Sequence, residues 1–225
     1  MKVLSILAQK GGSGKTTLAT ALAVAAQADG KTVAIIDLDP QATACKWGDR
    51  RNADPVIISI QPARLANALD TARDSRADLV IIDTPPRAAD AAMAAAQSAD
   101  LILIPCRPTI NDLETLATTQ SLIGGAGASA RVAVVLNSVP PQGQQRQQAE
   151  DAIRDMGLPV YPIAIGNRAA FAHSAVLGKA AQEIDPSGKA AREIEQLYTF
   201  TCELMNQQTG EGDSRVEKAR PARRA

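Results

Sequence analysis

The sequence predicts an α/β fold: a doubly wound, mostly parallel sheet flanked by helices. Three observations predict it. Short runs of β-branched and aliphatic residues alternate with Ala-rich, helix-forming stretches. The runs are apolar throughout rather than at every second residue, as strands covered on both faces require. The intervals between them are long enough for crossover helices, so the repeating unit is strand–helix–strand.

Val3 to Ala8 is the first expected strand, and Leu18 to Ala28, rich in strong helix formers, is the first expected helix. Thr32 to Asp37, Val56 to Ile60, Leu79 to Asp83, Leu101 to Pro105 and Val132 to Asn137 continue the strands, and Pro159 to Ile163 would add one more. Gln142 to Gln148 reads as a loop leading into a helix over Ala149 to Met156. Residues 186–207 read as a terminal helix with Pro186 and Ser187 near its start. Beyond it periodicity is lost. The expectation is one domain over residues 1–207 and a disordered tail over 208–225, basic through Lys218, Arg220, Arg223 and Arg224.

Composition narrows the function. A chain of 225 residues suits one domain better than two. Lys plus Arg and Asp plus Glu both number 24, which excludes a uniformly basic coat for nucleic acid but leaves room for a local patch. Aromatic residues make up 2%, which argues against a stacking platform for single strands and leaves the core to Ala, Val, Ile and Leu. Cys45, Cys106 and Cys202 are scattered, with no CxxC pair, so neither a disulfide framework nor a structural zinc site is expected. They read as buried thiols in a reducing compartment. The apolar part of the N-terminus is too short for a signal peptide, and no window approaches the roughly 18 apolar residues of a membrane span. The chain reads as soluble and cytoplasmic.

The strongest motif is Lys10-Gly11-Gly12-Ser13-Gly14-Lys15-Thr16-Thr17, between an expected strand and an expected helix. This is the context of a phosphate-binding loop. Glycines let backbone N–H groups approach phosphate oxygens, and the helix N-terminus adds positive potential. Lys15 is expected to reach the β- and γ-phosphates, Thr16 to place its hydroxyl on Mg²⁺, and Thr17 to support the α-phosphate. Asp37, Asp39 and Asp83 stand at or just past expected strand ends, the edge where such sheets bind ligands. Any one of these carboxylates alone could be a solvated cap.

The general loop pattern would place a glycine at position 9, where this chain has Gln9, and a lysine follows at position 10. In this the segment resembles the deviant Walker A motif, KGGxGKT, of the ParA/MinD group of P-loop ATPases. Asp37-Leu38-Asp39-Pro40-Gln41 resembles that family's DxDPQ segment, and Asp83-Thr84-Pro85-Pro86 its Walker B end. The resemblance runs from residue 2 to about residue 205 and is closest to the small ParA partition ATPases without an N-terminal helix-turn-helix domain.

The resemblance implies ATP and Mg²⁺ as cofactors and a homodimer that forms with ATP. Lys10 would reach across that dimer to the partner subunit's nucleotide, offsetting the charge of two facing triphosphates. Lys10, Lys15 and Asp39 are then the catalytic candidates, with Asp39 positioning the attacking water. Gly11, Gly12, Ser13, Gly14, Lys15, Thr16 and Thr17 would bind nucleotide, and Thr16, Asp37 and Asp83 the metal, Asp83 through water. Asn137 resembles an adenine-side Asn, with turn capping as the alternative, and Pro162 would wall the base. The segment Ile165 to Ala172 resembles the one whose basic residues touch DNA in the family; Arg168, Lys179, Lys189 and Arg192 are the local cations.

The function implied is DNA partition: an ATP-bound sandwich dimer holds DNA non-specifically and is released when a centromere-binding, ParB-like partner stimulates hydrolysis. Such a chain would be nucleoid-associated when ATP-bound. The alternatives are other cargoes (a conjugation complex, a receptor array, a microcompartment) and a MinD-like site at the membrane surface. The tail lacks the large apolar residues of an amphipathic anchor, so no stable membrane association is expected. Iron–sulfur chemistry would need a second cysteine suitably spaced from Cys106, which is lacking. His173 is expected to be structural and Trp47 to pack at a helix edge.

Overall fold

The structure, a computed structural model, describes residues 1–207. In chain order the elements are β1 (Lys2–Ile6), α1 (Lys15–Ala28), β2 (Val33–Asp37), α2 (Thr43–Arg51), β3 (Val56–Ser59), a short 3₁₀ turn (Pro62–Arg64), α3 (Leu65–Asp74), β4 (Leu79–Asp83), α4 (Ala89–Ser98), β5 (Leu101–Cys106), α5 (Ile110–Gly125) and β6 (Arg131–Leu136). Four helices follow: α6 (Gln145–Asp155), α7 (Ala169–Val176), the single turn α8 (Ala181–Ile184) and α9 (Lys189–Asn206). The basic tail cations named above lie outside the described residues.

The six strands form one all-parallel sheet in the order β3-β2-β4-β1-β5-β6. Alternation of side chains along each strand explains why the runs had to be wholly apolar. Leu4, Ile6, Ile35, Ile81, Leu103 and Val135 point to one face and pack with Leu18 and Leu22 of α1 and Ile194 and Leu197 of α9. Their neighbours Ile36, Val80 and Ile82 face the other way, onto Leu65 and Leu69 of α3 and Ala91 and Ala95 of α4. On that same side Ile102, Ile104, Val134 and Leu136 meet Leu116 of α5 and Ile153 of α6. The sheet is therefore covered on both sides, as a doubly wound fold requires.

Four expectations are corrected. Pro159 to Ile163 is not a full strand: it touches β6 only through an isolated parallel bridge at Val160, with a second bridge further on at Gly166. Pro159 and Pro162 have no N–H to give a ladder, so the segment is pinned through Tyr161 N–H on the Val134 carbonyl instead. The Gln-rich stretch is not all loop, because α6 begins at Gln145; glutamine is a good helix former. Trp47 is buried, not at an edge: its indole N–H donates to the Lys179 carbonyl at 3.2 Å. The three thiols are free; Cys106 is buried, while Cys45 and Cys202 are only partly so.

The winding order decides where a site can form. The carboxyl ends of the parallel strands lie along one edge, and β1, β4 and β2 are neighbours there. Asp83 pairs in register with Ile6 on one side and with Asp37 on the other. Residues far apart in the chain thus meet at the edge where open α/β sheets bind ligands.

Candidate functional site

The chain leaves β1 and turns through the glycine loop into α1. Gly12 and Gly14 have φ of 72° and 97°, left-handed conformations that other L-residues resist. At Gly14 space is closed as well: a Cβ there would lie 2.0 Å from Asn137 Nδ2. Asn137 follows β6 and donates its amide to the Ser13 carbonyl at 2.6 Å, while its own Oδ1 accepts the Ser138 N–H at 2.9 Å. The structure thus places Asn137 as a clamp on the loop. Pro162 is exposed, and its carbonyl accepts from Arg146 at 3.1 Å.

Lys15 opens α1 and is buried; its Nζ donates to the Lys10 carbonyl at 3.2 Å, curling the side chain back over the loop. Burial holds the Lys15 ammonium below its usual range, against the pull of Asp83 and Asp39. An ammonium kept so dry at a helix N-terminus has been stripped of water where an anion would replace it. Thr16 donates its hydroxyl to Asp83 Oδ2 at 2.6 Å. Asp83 is 1% exposed, and its other oxygen, Oδ1, is buried without a hydrogen-bond partner. Burial pushes this carboxyl up to about 7, with the Thr16 hydroxyl opposing and Asp37 adding to the rise.

A buried orphan oxygen needs an explanation. Asp83 Oδ1 fits the role of acceptor for a hydrated cation. Ser13 Oγ, in the glycine loop, is another buried, unpartnered atom. Among the described residues no group of three or more His, Cys, Asp or Glu could hold a metal by itself. This donor set suits Mg²⁺, which keeps several waters and takes one or two protein ligands plus substrate phosphates. Thr16 and Asp83 are the residues that could hold it.

Asp37 sits differently. It is fully buried, and its oxygens accept N–H groups from Asp39 at 2.9 Å, Ala44 at 2.9 Å and Cys45 at 3.4 Å. It closes the loop after β2 and caps α2, whose own preceding residue, Ala42, offers no side-chain cap. Burial raises the Asp37 carboxyl, opposed by those backbone donors. Asp39 is half-exposed, and its Oδ1 accepts the Gln41 N–H at 2.9 Å.

Two residues that sequence reasoning passed over complete the site, Arg107 from the turn after β5 and Asp112 from the first turn of α5. Lys10 Nζ pairs with Asp112 Oδ2 at 2.6 Å, and the Thr109 hydroxyl donates to the same oxygen. Arg107 donates from Nη2 to the Gly12 carbonyl. The available signal was Thr109-x-x-Asp112: a helix cap that puts Asp112 in the first turn of α5, directly after a strand end. Of the four basic candidates of the second half, one is paired and three are exposed. Arg168 is bound by Glu193 of α9 through both Nε (2.9 Å) and Nη2. Lys189 and Arg192 are exposed in the first turn of α9, with Arg192 donating to the Ser187 carbonyl at 2.6 Å. Lys179 is exposed beside Trp47, across α8 from them.

The fold and this site define a phosphate-loop nucleotide-binding domain. The model of the CobQ/CobB/MinD/ParA nucleotide-binding domain matches residues 4–179, and the chain belongs to that family. It is 34% identical over 211 residues to the maintenance of carboxysome distribution protein A of Gloeobacter kilaueensis, covering 91% of this chain and 94% of that protein. It is 25% identical over 230 residues to the chromosome-partitioning ATPase Soj of Thermus thermophilus, covering 86% and 92% of the two chains. The cell division ATPase MinD of Pyrococcus furiosus shares the fold, with a TM-score of 0.72 at 22% identity over 90% of this chain and 99% of that one.

Proposed function

We propose that this chain is an ATP-hydrolysing positioning switch that partitions DNA. Two chains close on ATP, hold DNA non-specifically, and part after hydrolysis stimulated by a partner bound at a centromere-like site. The observation that carries the reading is the meeting of Thr16 and Asp83, 2.6 Å apart, beneath a glycine loop with a buried, anion-seeking Lys15.

Each residue then has a task. The loop N–H groups, Ser13 and Lys15 bind the phosphates, with Thr17 on the α-phosphate side. Thr16 and Asp83 would hold Mg²⁺, which would supply positive charge beside the phosphate oxygens. Asp39, half-exposed, orients the attacking water. Asn137 and Pro162 border the base. Lys10 exchanges Asp112 for the nucleotide of the partner subunit, which ties closure to ATP. Lys179, Lys189 and Arg192 supply DNA phosphate contacts, a readout without sequence preference that weakens with salt. Arg168, already neutralised by Glu193, contributes by holding α7 to α9. Among the described residues no helix is long and apolar enough to cross a membrane.

The test is ATP turnover measured with and without DNA and the candidate partner. Weak basal turnover that rises when both are added supports the switch; strong turnover without either counts against it. A second reading keeps the switch and changes the cargo to a protein microcompartment. It is favoured by the 34% identity to a carboxysome distribution protein. A fluorescent copy of the chain that tracks plasmid foci supports the first cargo, and one that tracks compartment shells the second.

A further inference from the structure

The β5–α5 segment touches the phosphate loop twice, and the two contacts differ in charge balance. Lys10 is neutralised by Asp112. Arg107 is not: among the described residues no carboxylate pairs with it, and its Nη2 donates to the neutral Gly12 carbonyl. Its Nε–H is buried without a partner. Other partly buried cations here have carboxylates, Arg168 with Glu193 and Arg51 with Glu183. A buried N–H left without an acceptor is destabilising, so an unpaired guanidinium against a glycine loop asks for an anion.

Position narrows which anion. Lys15 and the α1 N-terminus take the helix side of the loop, where backbone N–H groups gather the inner phosphates. Arg107 stands at the other side, on Gly12, two residues from Lys10. Gly12 has a φ of 72°, and a Cβ there would lie 3.2 Å from Arg107 Nη2, so the guanidinium packs directly against the loop backbone. Its fork of donors suits phosphate oxygens better than an ammonium does.

We propose that Arg107 binds the outer, γ end of the phosphate chain of the nucleotide held by its own subunit. It is a cation supplied in cis that makes the site prefer triphosphate over diphosphate. The proposal rests on the nucleotide-binding reading above and adds a residue that reading does not need. It also assigns a purpose to the carbonyl contact: Gly12 holds the guanidinium in place until phosphate takes up its free donors.

The experiment is calorimetric titration of the full chain with Mg²⁺ and either a non-hydrolysable ATP analogue or ADP, for the native chain, R107K and R107Q. R107Q is expected to weaken the ATP analogue about tenfold or more and ADP less than about threefold, with R107K between the two. The salt dependence of ATP-analogue binding should also flatten in R107Q, because a charge contact has been lost. Thermal melts without nucleotide check that each variant folds. Unchanged ATP affinity in R107Q overturns the proposal. So does an equal loss of both nucleotides that R107K fails to relieve, which would make Arg107 a brace for the loop. If the native chain binds neither nucleotide, the function proposed above falls and takes Arg107's role with it. If it binds both and R107Q matches it, only Arg107's role falls.

Discussion

Lys10 Nζ lies 2.6 Å from Asp112 Oδ2, so the first residue of the phosphate loop is tied to the first turn of α5 within one chain. The Asp112 side chain is 5% exposed and that of Lys10 32%, so the pair sits at the rim of the site rather than in bulk water. In the proposed dimer Lys10 serves the other subunit, and Asp112 competes for it. D112N is therefore expected to lower the protein concentration needed for ATP-dependent dimerisation by about three- to tenfold, a gain near 1 kcal/mol. K10A should bind ATP and remain monomeric. Sedimentation velocity with a non-hydrolysable analogue reads both outcomes. An unshifted D112N dimer curve would show that the clasp does not hold the lysine back.

Asp83 sets a pH dependence on the nucleotide-free protein. Burial pushes its carboxyl up to about 7, against an ordinary 3.8, so between those values the folded state holds a proton that the unfolded chain releases. Stability from this group therefore falls as pH rises from the ordinary value to about 7. D83N, which still accepts from Thr16, should melt above the native chain near pH 8, by roughly 2–4 °C for each kcal/mol recovered, by less near pH 5, and match it only below about pH 4. The same variant should lose the extra stability that Mg²⁺ and ATP give the native chain. Scanning calorimetry at these pH values, with and without Mg-ATP, measures both effects.

Asp37 and Asp39 are two residues apart and should fail differently. Asp37 accepts N–H groups from Asp39, Ala44 and Cys45, so D37A uncaps α2 and leaves buried donors open. A loss of about 2–4 kcal/mol is expected, visible as a lower melting temperature before any nucleotide is added. D39A should leave stability within about 0.5 kcal/mol, as surface changes generally do. It should bind ATP and dimerise yet hydrolyse slowly, which single-turnover phosphate release would read.

Gly14 closes the account of the loop. Its φ of 97° and the approach of Asn137 Nδ2 leave no room for a methyl group. G14A should lower stability by about 1–3 kcal/mol and displace Asn137 from the Ser13 carbonyl. N137A, which removes the clamp without strain, should weaken nucleotide binding while costing less stability. Equilibrium unfolding in urea and a nucleotide titration on both variants separate the two effects.

Much of this protein was legible in its sequence because the signals are local. A parallel strand buried on both faces must be a short unbroken apolar run, and β2, β4 and β5 are such runs. A loop that wraps phosphate needs glycines with a lysine and a threonine at the helix start, and Lys10 to Thr17 has them in order. That each of Asp37 and Asp83 ends a strand followed from the same runs. What those carboxylates do did not follow. Only the winding order β3-β2-β4-β1-β5-β6 decides that Asp83 meets Thr16, while Asp37, on the next strand, turns its oxygens to its own loop. Arg107 and Asp112 were invisible for the same reason. They are 95 and 102 residues from their partners Gly12 and Lys10, and nothing in local spacing records that β5 lies beside β1. Hydrophobic patterning sets which face of a strand is buried; the order in which strands pair sets which charges share an edge, and that depends on the folding of the whole sheet.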